Sequence, residues 1–181
     1  MKRWTAPILL AVALSLCAAP ALALDGYQKR KGIFYGLGFG GGHIKGDAEG
    51  SEGHIGYNFR ARIGGGVNEQ LTLDAELGFS NASYTQNDAK VEDSTRTIGV
   101  GANVFLGKDL YVRLQGGIAD TTSEIGPTSN DETGLFVAGG AGYEFFANAD
   151  LAIGVGVDFQ HQMYDDSNVN ALNFGVTANW Y

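Results

Sequence analysis

Hydrophobic and polar positions alternate along most of the chain. In the last stretch, Leu172, Phe174, Val176, Ala178 and Trp180 share one parity, and Asn173, Gly175, Thr177 and Asn179 share the other. A period of two marks a β-strand with one apolar and one polar face. The same alternation predicts seven earlier strands. Their apolar parities run through Ile33–Phe39, Ile55–Ile63, Leu71–Phe79, Ile98–Leu106, Leu110–Ile118, Leu135–Phe145 and Leu151–Phe159. Short turns at Gly65–Gln70, Gly107–Asp109 and Ala147–Asp150 separate the members of successive pairs. Longer polar segments at Gly46–Gly53, Ser83–Thr95, Asp120–Thr133 and Asp165–Asn170 read as loops. Alternating segments of about ten residues, even in number, with short turns opposite longer loops, predict a transmembrane barrel. The expected fold is all-β: an eight-stranded antiparallel up-and-down β-barrel.

Alternation alone does not say which face meets water, because a soluble barrel turns its apolar face inward. The residues on the polar parity decide it. Gly36, Gly38, Gly40, Gly99, Gly101, Gly140, Gly142, Gly154 and Gly156 all lie there. On a solvated face these glycines would weaken the strands without gain, whereas in a narrow bore they relieve crowding. The lysines after position 23 fall at 29, 31, 45, 90 and 108, in leads, loops or turns rather than on strand faces. The apolar parity carries aliphatic residues in mid-strand and aromatic residues towards the ends. Tyr35, Tyr143, Phe145 and Trp180 mark the short-turn end; Phe39, Tyr57, Phe79 and Phe159 mark the long-loop end. Two aromatic belts suit the two interfaces of a bilayer.

Composition adds a destination. Lys2 and Arg3, the apolar run Ile8–Ala19 and the small-x-small triplet Ala21-Leu22-Ala23 form a secretory signal peptide over residues 1–23. The residue before Cys17 is Leu16, which sets a lipoprotein signal aside. Cleavage after Ala23 leaves residues 24–181 as one barrel domain and removes the only cysteine, so disulfides and thiolate metal sites are excluded. Ten basic side chains then face twenty acidic ones, a poor balance for binding nucleic acid.

The chain resembles the small eight-stranded outer-membrane β-barrel family, the group of the OmpA membrane domain, OmpX, Ail and the opacity-like proteins. The resemblance spans the whole chain after the leader and rests on the hairpin pattern and the closing strand. The family's C-terminal insertion signal reads polar-x-Gly-x-x-apolar-x-aromatic. Asn173, Gly175, Ala178 and Trp180 fit it, with Tyr181 one residue beyond. The resemblance implies residence in a Gram-negative cell outer membrane among lipid and lipopolysaccharide, and assembly by the barrel-insertion machinery.

Three sets of residues are candidates for function. Arg60, Arg62, Asp74, Glu76, Asn103, Arg113, Glu144 and Asp158 point inward and read as a paired polar network filling the bore. With the second turn centred near Val67, Arg60 would face Asp74 and lie diagonal to Glu76. A small cation-preferring channel is the alternative use of the same residues. The second set is catalytic. Some barrels of the family modify lipid A with a histidine, a serine and an acid. Ser80-Asn81 is a faint trace of that motif, but Gly78 stands where its histidine should be. His43, His54 and His161 match no firm metal or catalytic spacing, and no cofactor is expected. The third set is the acidic loops, among them Asp47, Glu92, Asp93, Asp120, Glu124, Asp131, Glu132 and Asp165. Their position suits a surface or host ligand. The expected role is therefore structural or interactive: envelope integrity, adhesion or defence through the external loops, without enzymatic activity.

Overall fold

The computed structural model describes residues 30–47, 53–86, 89–126, 128–165 and 167–181. The signal-peptide segment lies outside them. Eight strands are present: β1 (Gly32–Gly46), β2 (His54–Asn68), β3 (Leu71–Gln86), β4 (Ala89–Leu106), β5 (Leu110–Ile125), β6 (Thr128–Phe146), β7 (Leu151–Met163) and β8 (Asn168–Trp180). Each pairs antiparallel with the next, and β8 returns to β1 to close the barrel. Closure leaves no strand edge for hydrocarbon to face. No helix among the described residues is long and apolar enough to cross a membrane; a barrel crosses with strands.

The apolar parity is outside. Ile33, Leu114 and Val100 are 78%, 72% and 70% exposed, while Asn103, Asp74, Glu76 and Arg113 are buried. That inversion of a soluble protein fits lipid as the outer solvent. Trp180 stacks on Tyr35 at 5.6 Å near the end that holds the turns and both terminal segments, here the terminal end. Phe39, Phe59 and Phe79 are register partners across β1, β2 and β3, forming an aromatic row near the opposite end.

The bore is narrow enough that backbones crowd it. At the seam, Gly40 of β1 faces Gly175 of β8. A Cβ on Gly40 would collide with the carbonyl oxygen of Phe174, and one on Gly175 would meet the Phe39 carbonyl at 2.8 Å. This pair gives Gly175 a packing reason independent of any insertion signal.

Two segments expected as loops are strands. Ser83–Thr95 and Asp120–Thr133 continue β3–β4 and β5–β6 in register almost to their tips. They are polar but keep the period of two, and their Ser, Thr, Val and Tyr residues suit strands. Cross-strand bonds hold them: Asn81 to Ser94 at 2.9 Å, Ser123 to Asp93 at 2.6 Å, and Thr95 with Thr121 at 2.9 Å. On β4 the outward apolar residues run from Leu106 to Ile98; Arg96, Ser94, Glu92 and Lys90 follow on the same face. Half of β4, roughly 30 Å of strand, therefore rises beyond the apolar belt. Four strands form this ribbon. β7, β8, β1 and β2 end lower, with β7 stopping at Met163 and β8 starting at Asn168.

Candidate functional site

Three polar clusters cross the bore. Nearest the ribbon, Arg60 pairs with Asp158 at 2.8 Å. Asn173 donates to the same carboxylate at 3.0 Å, and Asn58 donates to Asn173 at 3.3 Å. In the middle, Arg113 grips Asp74 through two bonds of 2.8 and 2.7 Å and reaches Glu76 at 3.2 Å. Gln115 donates to Glu76 at 3.0 Å, and Asn103 accepts from Arg113 while donating to Thr72. At the terminal end, Glu144 accepts from Arg30 at 2.9 Å, from Asn179 at 2.6 Å and from the Tyr181 hydroxyl at 2.9 Å. Arg62 donates twice to Asn179, at 3.1 and 2.9 Å.

The eight bore residues expected from the sequence all face inward, but Arg60 does not meet the Asp74 and Glu76 expected as its partners. The β2–β3 turn falls at Glu69-Gln70, fixed by the Asn68 side chain accepting from the Gln70 amide at 2.8 Å. A bulge between Gly66 and Asn68 takes up the register. Arg62 therefore sits opposite Glu76 and Arg60 opposite Gly78, and neither Arg60 nor Arg62 pairs with Asp74. Arg60 reaches across the bore to β7 instead, and Arg113 of β5 takes both carboxylates of β3.

Arg30 is the member that sequence reasoning missed. It lies before β1, outside the alternating pattern of the first strand, yet it is 5% exposed. Its guanidinium sits 3.8 Å from the Phe105 ring centroid and 5.2 Å from that of Phe146. The available signal was parity: Arg30 continues the inward series Gly32, Phe34, Gly36 back beyond the strand. With it, four arginines balance Asp74, Glu76, Glu144 and Asp158. Between the clusters the bore retains two small cavities, about 50 and 20 Å³. Each holds one or a few waters at most.

Among the described residues, no histidine is hydrogen-bonded to a serine. His43 and His54 are one register step apart, so His43 points outward and His54 inward. His54 stacks on Tyr84 at 3.4 Å, and His161 shares a 2.8 Å bond with Asn170. Ser80 lines the smaller cavity with Thr95, Thr97 and amide side chains. Among the described residues, no group of three or more His, Cys, Asp or Glu is placed to hold a metal ion.

The ribbon is acidic. Glu92, Asp93, Asp120, Glu124, Asp131 and Glu132 oppose Lys90 and Arg96 among its described residues. Lys90 pairs with Glu92. Burial, reinforced by the Asp93 carboxylate that Tyr84 donates to, pushes the Tyr84 phenol up to about 12. At the lower rim, hydrogen bonds from the side chain and backbone of Asn168 hold Asp47 below the usual carboxylate range. From Thr128 to Gly134, β6 pairs with β5 on one side. On the other side the β6–β7 ladder begins only at Leu135, so this stretch has no strand partner among the described residues.

An apolar outer belt around a polar bore, in a closed eight-stranded antiparallel sheet, defines a transmembrane β-barrel. The chain belongs to the outer membrane protein beta-barrel domain family, whose profile matches residues 9–181. It resides in the cell outer membrane. Similar solved structures include Ail, the attachment invasion locus protein of Yersinia pestis, in complex with the heparin analogue sucrose octasulfate. That structure is 11% identical, has a TM-score of 0.61, and aligns over 83% of this chain and 99% of its own. Neisserial surface protein A aligns with a TM-score of 0.60 at 11% identity, again over 83% of this chain and 99% of its own. At such identity the likeness is one of fold. No curated protein sequence matches the chain.

Proposed function

We propose that this barrel is a surface-interaction protein whose β3–β6 ribbon stands outside the cell and docks a cationic partner. The observation that carries the reading is the ribbon itself: an ordered four-stranded sheet beyond the apolar belt, with six carboxylates and an unpaired β6 edge. Function in rigid-scaffold proteins concentrates on what the scaffold displays. An unpaired edge offers backbone donors and acceptors to an incoming strand. The charge sets the partner's sign. Ail has been crystallised with a polyanion; the acidic ribbon here favours the opposite. Orientation follows the family: terminal end in the periplasm, ribbon outside.

Shortening the β5–β6 hairpin by replacing residues 122–131 with Asn-Gly tests this. The barrel belt remains intact, so the variant should still show a heat-dependent shift on a denaturing gel. Proteoliposomes carrying it are expected to lose most of their binding to a poly-lysine surface. Equal binding by a folded, shortened variant would overturn the reading.

The bore reads as filled, and no catalytic role is proposed for it. Three clusters cross it, Arg30, Arg60 and Arg113 are ion-paired while Arg62 is hydrogen-bonded to Asn179, and the cavities between the clusters are water-sized. Planar-bilayer recording is expected to show no steady open level; a stable large conductance would favour the channel reading. Among the described residues the histidines bond to no serine, and His161 bonds to Asn170 instead, which favours interaction over lipid A modification.

A further inference from the structure

We infer that the larger bore cavity is a site for one small monovalent anion, with the size and charge of chloride. This is independent of what the ribbon binds.

The wall of this cavity, about 50 Å³ in volume, carries more donors than acceptors. Three guanidiniums line it, those of Arg60, Arg62 and Arg113, against two carboxylates, Glu76 and Asp158. Both carboxylates are engaged at each oxygen. Asp158 accepts from Arg60 and Asn173, and Glu76 accepts from Arg113 and Gln115. The donors are not used up. Arg113 is 7% exposed, and its Nε is buried with no hydrogen-bond partner among the described residues. The Thr177 hydroxyl, on the same wall, is buried without one as well. The Tyr111 hydroxyl reaches this wall too, 2.9 Å from where a Cβ on Gly156 would stand.

Charge is distributed unevenly in the same direction. Arg30, Arg60 and Arg113 are ion-paired, whereas Arg62 meets the neutral amide oxygen of Asn179. Its register partner Glu76 is committed to Arg113 and Gln115. Asp74 is held by both terminal nitrogens of Arg113 and does not line the cavity. A water in this space would bring two protons of its own to a wall whose carboxylate oxygens are taken. A halide brings none, accepts from every unused donor and supplies the counter-charge that Arg62 lacks. Glycines make the room: Gly38, Gly140, Gly156 and Gly175 all line it. The lining comes from every strand except β4, so the site exists only in the closed barrel and anion uptake is linked to folding.

Linkage supplies the test. The refolded barrel in phosphocholine vesicles is unfolded with urea at constant ionic strength, while gluconate, too large for the cavity, is exchanged for chloride. A ligand held only by the folded state lowers the unfolding constant in proportion to its concentration once that exceeds its dissociation constant. The logarithm of the unfolding constant against the logarithm of chloride is therefore expected to fall towards a slope of about −1, one ion per barrel, and bromide should act alike. Arg62→Gln is expected to flatten the plot. Thr177→Val, which keeps the shape and loses the hydroxyl, should move it to about tenfold higher chloride. If Arg62→Gln gives no heat-shifted folded band, Thr177→Val decides in its place. Crystals grown in bromide locate the ion by its anomalous scattering, expected between Arg62, Arg113 and Thr177. A flat plot for the unaltered barrel would overturn the proposal, as would a chloride dependence that the deciding variant leaves unchanged. So would a bore without bromide signal, which would mean that the cavity takes water only.

Discussion

Exchanging Arg113 for methionine is expected to lower the unfolding free energy of the lipid-embedded barrel by about 3–5 kcal/mol. The reason is local. Arg113 is buried and neutralises two carboxylates that are buried themselves, Asp74 by a two-bond grip and Glu76 by a third bond. Removing one partner of such a group leaves uncompensated charge in a site with little water. The loss should come from that charge rather than from lost packing. Adding Asp74→Asn and Glu76→Gln to Arg113→Met should therefore restore a large part of it. Urea unfolding in lipid vesicles measures both. A single-variant loss under about 1 kcal/mol, or no recovery in the triple variant, would mean that water already reaches the cluster.

Valine at Gly40 is expected to prevent closure, leaving no heat-shifted folded band after refolding into detergent. Overpacking a filled interior costs about 1–3 kcal/mol when side chains can yield. Here the obstacle is backbone, the carbonyl of Phe174 on the facing strand, which cannot yield without parting β1 from β8. Gly175→Val should fail in the same assay. The comparison separates two readings of Gly175. Refolding into detergent uses no insertion machinery, so failure there measures packing alone. If Gly175→Val refolds normally while Gly40→Val does not, the glycine matters only as part of a recognition signal.

The strands were legible because lipid and bore impose opposite demands on neighbouring residues. Leu172 and Asn173 differ because one meets hydrocarbon and the other meets Asp158. Where that contrast ends, so does legibility. Beyond Arg96 both faces of the ribbon are polar, and Ser83–Thr95 reads as a loop, although cross-strand bonds keep it extended. The bore residues were legible as a set, since a charge on the inward parity has nowhere else to go. Their partners were not. The β2–β3 turn closes at Glu69-Gln70 rather than around Val67, which places Arg60 opposite Gly78 and away from Asp74, and alternation does not say where a turn closes. Contacts across the bore, such as Arg60 with Asp158, depend on the curvature of the closed sheet. Arg30 escaped because it acts before its strand begins.

Continuity of the ribbon with the membrane strands also bears on how a partner would be met. β4 and β5 run from Leu106↔Leu110 to Val91↔Ile125 without a break in register. A free loop of that length would have to be ordered at the moment of contact, and the loss of its freedom would subtract from affinity. In this protein the ordering happens once, when the barrel folds. On the proposed orientation, what it presents at the cell surface is a stiff mast rather than a tether, which would hold a captured chain at a fixed height and heading above the bilayer.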